Sequence, residues 1–335
     1  MLYPYGELNF MALLPCPLRV AFEKTATLRT REFEEKTGQH VKALFVSGMD
    51  KAILAELNAI DSMENWPDVI MIPGFDMAFN ERFKKRFRDT GCFRSIMPQN
   101  NPMYLQNGIY DPQGYYDVIG VSTIVFVSDH TYRDDYSDPE SWTQLVTDPQ
   151  YHRRVGMVGH EWAGFQDNGR LSVYWLGGED MVVGLAKTAK CCLLGAEMVR
   201  LSASRRAVAP DIYVLGYNFA RAAIKNDRMR MIWPAEGAAA MPLMLLTKKG
   251  ASETSVALAR HLICEETASV LRMGGFYASV DPKPFENNTV VWPDWEFLKR
   301  TDMPLLSEHL NRIMIQNSDI IRTRPVPGRI KACKS

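Results

Sequence analysis

The chain has 335 residues, and its 39 Lys and Arg balance 39 Asp and Glu, so the formal net charge is zero. At 46% hydrophobic, 23% charged and 10% aromatic it has the composition of a globular protein with a large core, and its length exceeds what one core usually serves, so two lobes are expected. The balanced charge excludes a field that would hold nucleic acid or an anionic membrane, and no run approaches the roughly 20 apolar residues of a membrane span.

In chain order, Leu8 to Leu14 is expected as a buried strand, broken by Pro15-Cys16-Pro17. The apolar run Phe10 to Leu14 has no Lys or Arg before it, so it is not expected to be a secretory leader. A charged helix follows around Lys24 to Thr37, closed by Gly38. Val41 to Val46 is a second strand, Ser47-Gly48 turns the chain, and Ile53, Leu54, Leu57 and Ile60 recur at helical spacing. Pro67 to Gly74 is a third strand with a breaker at each end. Strands and helices that alternate in this way begin a parallel α/β sheet. One helix is expected at Ala78 to Phe87 within an irregular covering segment.

Asp117 to Ser128 is rich in β-branched residues and long enough to pass from one lobe to the other. A new series then starts with a helix opened by Asp138-Pro139-Glu140-Ser141-Trp142 and a strand at Arg154 to Val158. Helices are expected at Leu171 to Trp175, Asp180 to Cys192 and Gly195 to Leu201, followed by Pro210 to Asn226. Met229 to Trp233 is a strand that brings the chain back, Met241 to Thr247 another, and Ser252 to Met273 one or two helices. The tail from Pro293 is expected to be helical. The six cysteines, Cys16, Cys92, Cys191, Cys192, Cys264 and Cys333, form no CxxC pair and so neither a zinc-site spacing nor a disulfide framework. Cys191 and Cys192 are expected as small core residues.

The order of these segments resembles the type 2 periplasmic-binding-protein family, the ABC-transporter solute-binding proteins near the ferric-iron, thiamine and polyamine groups. The stretches that carry the resemblance are Pro67-Asp68-Val69-Ile70, Gly114-Tyr115-Tyr116 leading into Ser122-Thr123-Ile124-Val125-Phe126-Val127, Pro139 to Leu145, Trp233 to Pro242, and Gly274-Gly275-Phe276-Tyr277. The resemblance implies a two-lobe, Venus-flytrap α/β fold with two hinge crossings. Lobe 1 would hold residues 1–119 and 234–335 and lobe 2 residues 120–233, with a solute taken between them by closure. It also implies a small-molecule solute, delivery to an ABC-type permease or to a fused or associated domain, and a periplasmic or extracytoplasmic location. Without a leader, a cytoplasmic or excised domain stays open as well.

In open α/β sheets ligands collect at the carboxyl ends of strands. That rule nominates Pro15, Cys16, Pro17 and Leu18, then Ser47 and Gly48, Phe75, Ser122 and Thr123, His160, Glu161 and Trp162, Tyr213 and Tyr217, and Glu236. Several of these loops precede a helix, whose first N–H groups favour an oxyanion. Tyr213 and Tyr217, four apart on an expected helix, would share a face, and paired phenols of that kind hold ferric iron in relatives. The alternative for the pair is one tyrosine in the core and one at the site edge. Trp162 could stack on a flat or cationic solute, and Glu236 could bind a ligand amine or the hinge backbone. No cofactor is required. An enzyme on the same fold would draw on Cys16 or on His160 and Glu161, and an intracellular ligand-sensing module would use the same residues for binding.

Overall fold

The computed structural model describes residues 4–15, 18–48, 50–130, 137–160, 164–165, 169–204, 209–225, 228–281, 283, 285 and 289–320. Among them the strands run, in chain order, Phe10–Leu14 (β1), Ala43–Ser47 (β2), Val69–Pro73 (β3), Tyr116–Asp129 (β4), Val155–His160 (β5), Gly164–Phe165 (β6), Ala189–Leu193 (β7), Ile212–Gly216 (β8), Met229–Ile232 (β9), Ala238–Thr247 (β10), Phe276–Ala278 (β11) and Val290–Val291 (β12). The chain divides into two compact units, one of Met1–Thr123 with Ala240–Leu306 and one of Ile124–Ala239 with Ser307–Ser335. The strands β4 and β10 each carry the chain across this division. The division departs from the expected boundaries chiefly at the C-terminus, where the segment from Ser307 groups with the second unit. Ser307 and His309 there bond to Arg170 and Glu179 of the second unit.

In the first unit β1 pairs in parallel with β2 (Phe10↔Ala43) and with β3 (Phe10↔Val69), while β10 runs antiparallel to β3 (Leu243↔Pro73) and β11 antiparallel to β4 (Phe276↔Ser122). The helix Arg19–Thr37 lays Phe22, Ala26 and Phe33 onto Phe10, Ala12, Leu14, Val69 and Met71. Each fully buried side chain of this size stabilises by about 1.5–3 kcal/mol. Gly38 ends that helix at φ 70°, and its N–H reaches the Glu34 carbonyl, as the sequence predicts. The expected helix at Ala78 to Phe87 is a short turn, Glu81–Phe83, that widens into a π-helical segment, Lys84–Arg88. The wider turn lets Phe83, Lys84, Phe87 and Arg88 all point inward, with Phe83 and Phe87 against Trp66 at 5.4 and 5.9 Å between ring centroids.

In the second unit β4 takes β8 and β9 as antiparallel partners (Val127↔Tyr213, Phe126↔Ile232), and β5 runs parallel to both β8 and β7. Val125, Val127, Met198, Tyr213, Leu215 and Ala220 form its core. Cys191 and Cys192 lie in β7, not in the expected helix: the helix Gly169–Thr188 stops and the chain pairs beside Gly156 and Met157. Tertiary pairing overrides the helical pattern there. Within that helix the chain breaks at Gly177 and Gly178, and Gly178 adopts φ 72°, ψ −159°, a conformation open only to glycine.

Candidate functional site

The carboxyl ends of β1, β2 and β3 converge in the first unit. The Gly48 N–H donates to the Leu14 carbonyl at 2.8 Å, and the Gly74 N–H donates to the Pro242 carbonyl at 2.8 Å. A Cβ on Gly48 would stand 3.0 Å from Pro73 Cγ and 3.3 Å from the Leu14 carbonyl oxygen, so these strand ends meet with no room for a side chain. Pro15, Ser47, Gly48 and the Gly74 turn are thereby gathered along one edge.

Two nominated neighbours turn away from that edge. Leu18 is fully buried under Gly274, and Phe75 is buried with its ring 5.4 Å from Trp292 and 6.1 Å from Phe79. Both are core residues, because a large apolar side chain beside the strand ends gains more from the aromatic and aliphatic core than from solvent. The helix Lys51–Ala59 offers no free terminus to an anion, since Asp50 accepts the N–H groups of Ala52 and Ile53. Ser122 and Thr123, the last two residues of β4 in the first unit, are buried, and the Thr123 hydroxyl has no hydrogen-bond partner.

In the second unit the parallel strands β5, β7 and β8 end on one side. The register pairs Gly216, the last residue of β8, with Ile124, the first residue of the unit. Tyr217 opens the helix Tyr217–Ala223, with its ring 6.5 Å from Trp233 edge-on and the Arg221 guanidinium 5.8 Å from its centroid. Sequence reasoning did not nominate Trp233 or Arg221. The signal for Trp233 was its place just after β9, where Ile232 faces Phe126.

The expected Tyr213 and Tyr217 pair does not share a helix face. Tyr213 is the second residue of β8, flanked by Val127 and Gly156, and is fully buried in the core. Its hydroxyl has no hydrogen-bond partner, and burial pushes its phenol far above the ordinary value, with the Asp129 charge adding to the shift. A phenol held neutral in this way is poorly placed to become a metal-binding phenolate. Cys16, Pro17, Glu161 and Trp162 lie outside the described residues, as does the side chain of His160, whose backbone ends β5.

Glu236 is bound to backbone. Its carboxylate accepts the N–H groups of Trp142 and Thr143, each at 2.9 Å, and the Trp142 indole N–H donates to the Gly237 carbonyl at 3.0 Å. Burial alone would raise the Glu236 carboxyl, but the hydrogen bonds from the Thr143 side chain and backbone and from the Trp142 backbone outweigh it and hold the group below the usual range. Of the two roles open to Glu236, the geometry shows the backbone one.

A cavity of about 670 Å³ in the second unit is lined by His130, Ile224, Arg228, Met229, Arg230 and Met231, beside the Asp129 end of β4. Among the described residues no three His, Cys, Asp or Glu side chains cluster as a metal site, and no helix is long and apolar enough to cross a membrane.

The sequence model of a family described as bacterial extracellular solute-binding protein matches residues 64–301. No curated protein matches the sequence. Among solved structures, the fold is similar to that of the Trichodesmium protein IdiA (FutA) in complex with iron and citrate, with a TM-score of 0.61 at 13% identity over 92% of this chain and 98% of that one. A Bordetella ferric binding protein gives 0.60 at 13% identity, again over 92% and 98%. The spermidine/putrescine ABC transporter substrate-binding protein of Streptococcus pneumoniae, in complex with calcium and HEPES, gives 0.56 at 14% identity with the same coverage.

Proposed function

Because the chain belongs to the bacterial extracellular solute-binding protein family, we propose that it captures a small anionic or metal-associated solute outside the cytoplasm and delivers it to an ABC-type permease. One observation carries this reading. In each unit a parallel strand ends beside the chain segment that runs on into the other unit: β3 ends next to Pro242 and Leu243, and β8 ends next to Ile124. The candidate contacts are the Ser47, Gly48 and Gly74 edge in the first unit and the Tyr217, Trp233 and Arg221 group in the second, each offered to a solute taken by lobe closure. Its differential affinity for the closed state then drives closure.

Arg221 supplies positive charge for an anion, and a ferric ion carried as an organic-acid chelate presents that charge type. The bound iron is cargo and no cofactor is needed. The protein binds its solute without turnover, a reading supported by the family's description as solute-binding proteins.

Native mass spectrometry of the protein purified without denaturant is expected to show one intact small solute. Small-angle X-ray scattering is expected to show compaction when stripped protein is saturated with that solute or with ferric citrate. Identical scattering profiles for stripped and saturated protein would overturn closure. Chemical conversion of the solute by the purified protein would replace the binding reading with an enzymatic one.

A further inference from the structure

The cavity beside the Asp129 end of β4 lies wholly in the second unit and apart from the Tyr217 group. β8 begins beside Ser128 and ends beside Ile124, so the cavity stands at its first residue and Tyr217 just past its last. Along β4 that separation is roughly 16 Å at about 3.3 Å per residue. We propose that this cavity is a second small-molecule site, one that takes an amphipathic carboxylate: an anionic head on an apolar body.

Its volume, about 670 Å³, lies within the range of roughly 300–1,000 Å³ usual for small-molecule sites. The lining divides by chemistry. Ile224, Met229 and Met231 form an apolar wall continuous with the core of the unit, since Met229 belongs to that core and the other two pack against it. Met229 and Met231 are alternate residues of β9 and share one face, and unbranched thioether side chains adapt to an irregular guest. An inorganic anion has no use for such a wall. A wholly apolar guest, in turn, would strip water from two guanidinium groups and offer them nothing.

His130, Arg228 and Arg230 bring the hydrogen-bond donors, and much of their arrangement is set before any ligand arrives. The His130 backbone N–H donates to the Arg228 carbonyl at 2.9 Å, which fastens the two chain segments side by side. The Asp138 carboxylate accepts the hydroxyl of the buried Ser128 and lies 3.1 Å from His130 Nε2 and 3.6 Å from Arg230 Nη1. One carboxylate thus orients an imidazole and a guanidinium, which lowers the ordering cost of binding. It meets Arg230 through Nη1, and the other N–H groups of that planar fork remain for the two oxygens of a ligand carboxylate. Asp129, buried where β4 ends, is a second acidic group of the region, so selection rests on placed donors and not on net charge. The inference is independent of which solute the protein delivers.

The test uses the full-length chain with sodium octanoate as probe. Calorimetric titration is expected to show one octanoate bound per chain. Arg230→Gln changes an exposed side chain and is expected to weaken binding roughly tenfold, as for the loss of one charge-assisted bond. Acetate, a head without a body, and octylamine, a body with the opposite charge, are expected not to bind at the same concentration. In spectra of protein labelled with methyl-¹³C methionine, octanoate is expected to shift the Met229 and Met231 signals, assigned with Met229→Leu and Met231→Leu. Undiminished octanoate affinity in Arg230→Gln and Arg228→Gln, equal binding of octylamine, or displacement of octanoate by ferric citrate would overturn the site. Octanoate binding with the expected features in a chain that ferric citrate does not bind would support the site and count against the solute reading alone.

Discussion

Glu236 holds Trp142 by its backbone: the carboxylate receives the Trp142 N–H at 2.9 Å, while the Trp142 indole returns a bond to the Gly237 carbonyl. This fastens the loop before the second strand crossing to the start of the helix Trp142–Thr147. Glu236→Gln keeps the shape and loses the charge, so it is expected to cost about 1 kcal/mol, as for loss of a helix cap. The depressed folded pKa sets the pH window. The contribution is complete above the unfolded Glu value of about 4.3 and disappears as pH falls through the folded one. Urea midpoints of wild type and variant are expected to differ at pH 7 and to converge as the pH falls through the folded value.

Tyr213→Phe removes a buried hydroxyl that has no partner. Nothing is left unsatisfied, so stability is expected to stay within about 1 kcal/mol of wild type in thermal denaturation. Ferric citrate binding is expected to be unchanged, because the phenol lies inside the β8 core. If wild type shows a visible phenolate-to-iron absorption band that the variant lacks, Tyr213 returns to the ligand set.

Much of the first unit was legible in the sequence because its signals are local. Apolar runs between breakers gave β1, β2 and β3, and Gly38 gave the helix end. The second unit was harder. Cys191-Cys192-Leu193 continues a helical pattern and becomes a strand only because β5 offers an open edge, and Tyr213 falls in β8 for the same reason. The candidate site was legible as a set of strand ends but not as a set of side chains. Leu18 and Phe75 stand at the right chain positions and turn into the core, whereas Trp233 and Arg221 join Tyr217 through a register that no spacing rule reports.

His261 and Arg29 clasp two helices of the first unit. The His261 ring bonds the Arg29 carbonyl at 3.1 Å and stands 3.4 Å from the Arg29 guanidinium, whose Nε donates to the His261 carbonyl at 3.0 Å. Carboxylates also face the pair: Glu32 and Glu266 lie 3.8 and 3.6 Å from the Arg29 guanidinium, and Lys36 adds positive charge. Burial, and then the Arg29 charge, lower the His261 pKa. The unfolded chain therefore takes up a proton first, and stability is expected to fall as pH drops below about 6.5 and on through the folded value. Urea midpoints from pH 8 to pH 5 are expected to fall less in His261→Gln than in wild type. Parallel curves would remove His261 from the pH response.

Gly38 and Gly178 share nearly the same φ, 70° and 72°, and neither has an atom within 4 Å of where a Cβ would stand. They differ in ψ, 11° at Gly38 and −159° at Gly178. The first is the left-handed helical region that asparagine tolerates, and the second is open to glycine alone. Gly38→Asn is therefore expected to change stability by only a few tenths of a kcal/mol, while Gly178→Asn is expected to cost about 1–3 kcal/mol. Since space is equal at the two sites, the contrast isolates backbone strain. Gly178 also sets the angle between the segments that carry Arg170 and Glu179, so Gly178→Asn is expected to speed amide exchange in the turn after Leu306, and Gly38→Asn to leave it unchanged. Equal stability losses in the two variants would mean that the break at Gly178 is not held in its glycine-only conformation.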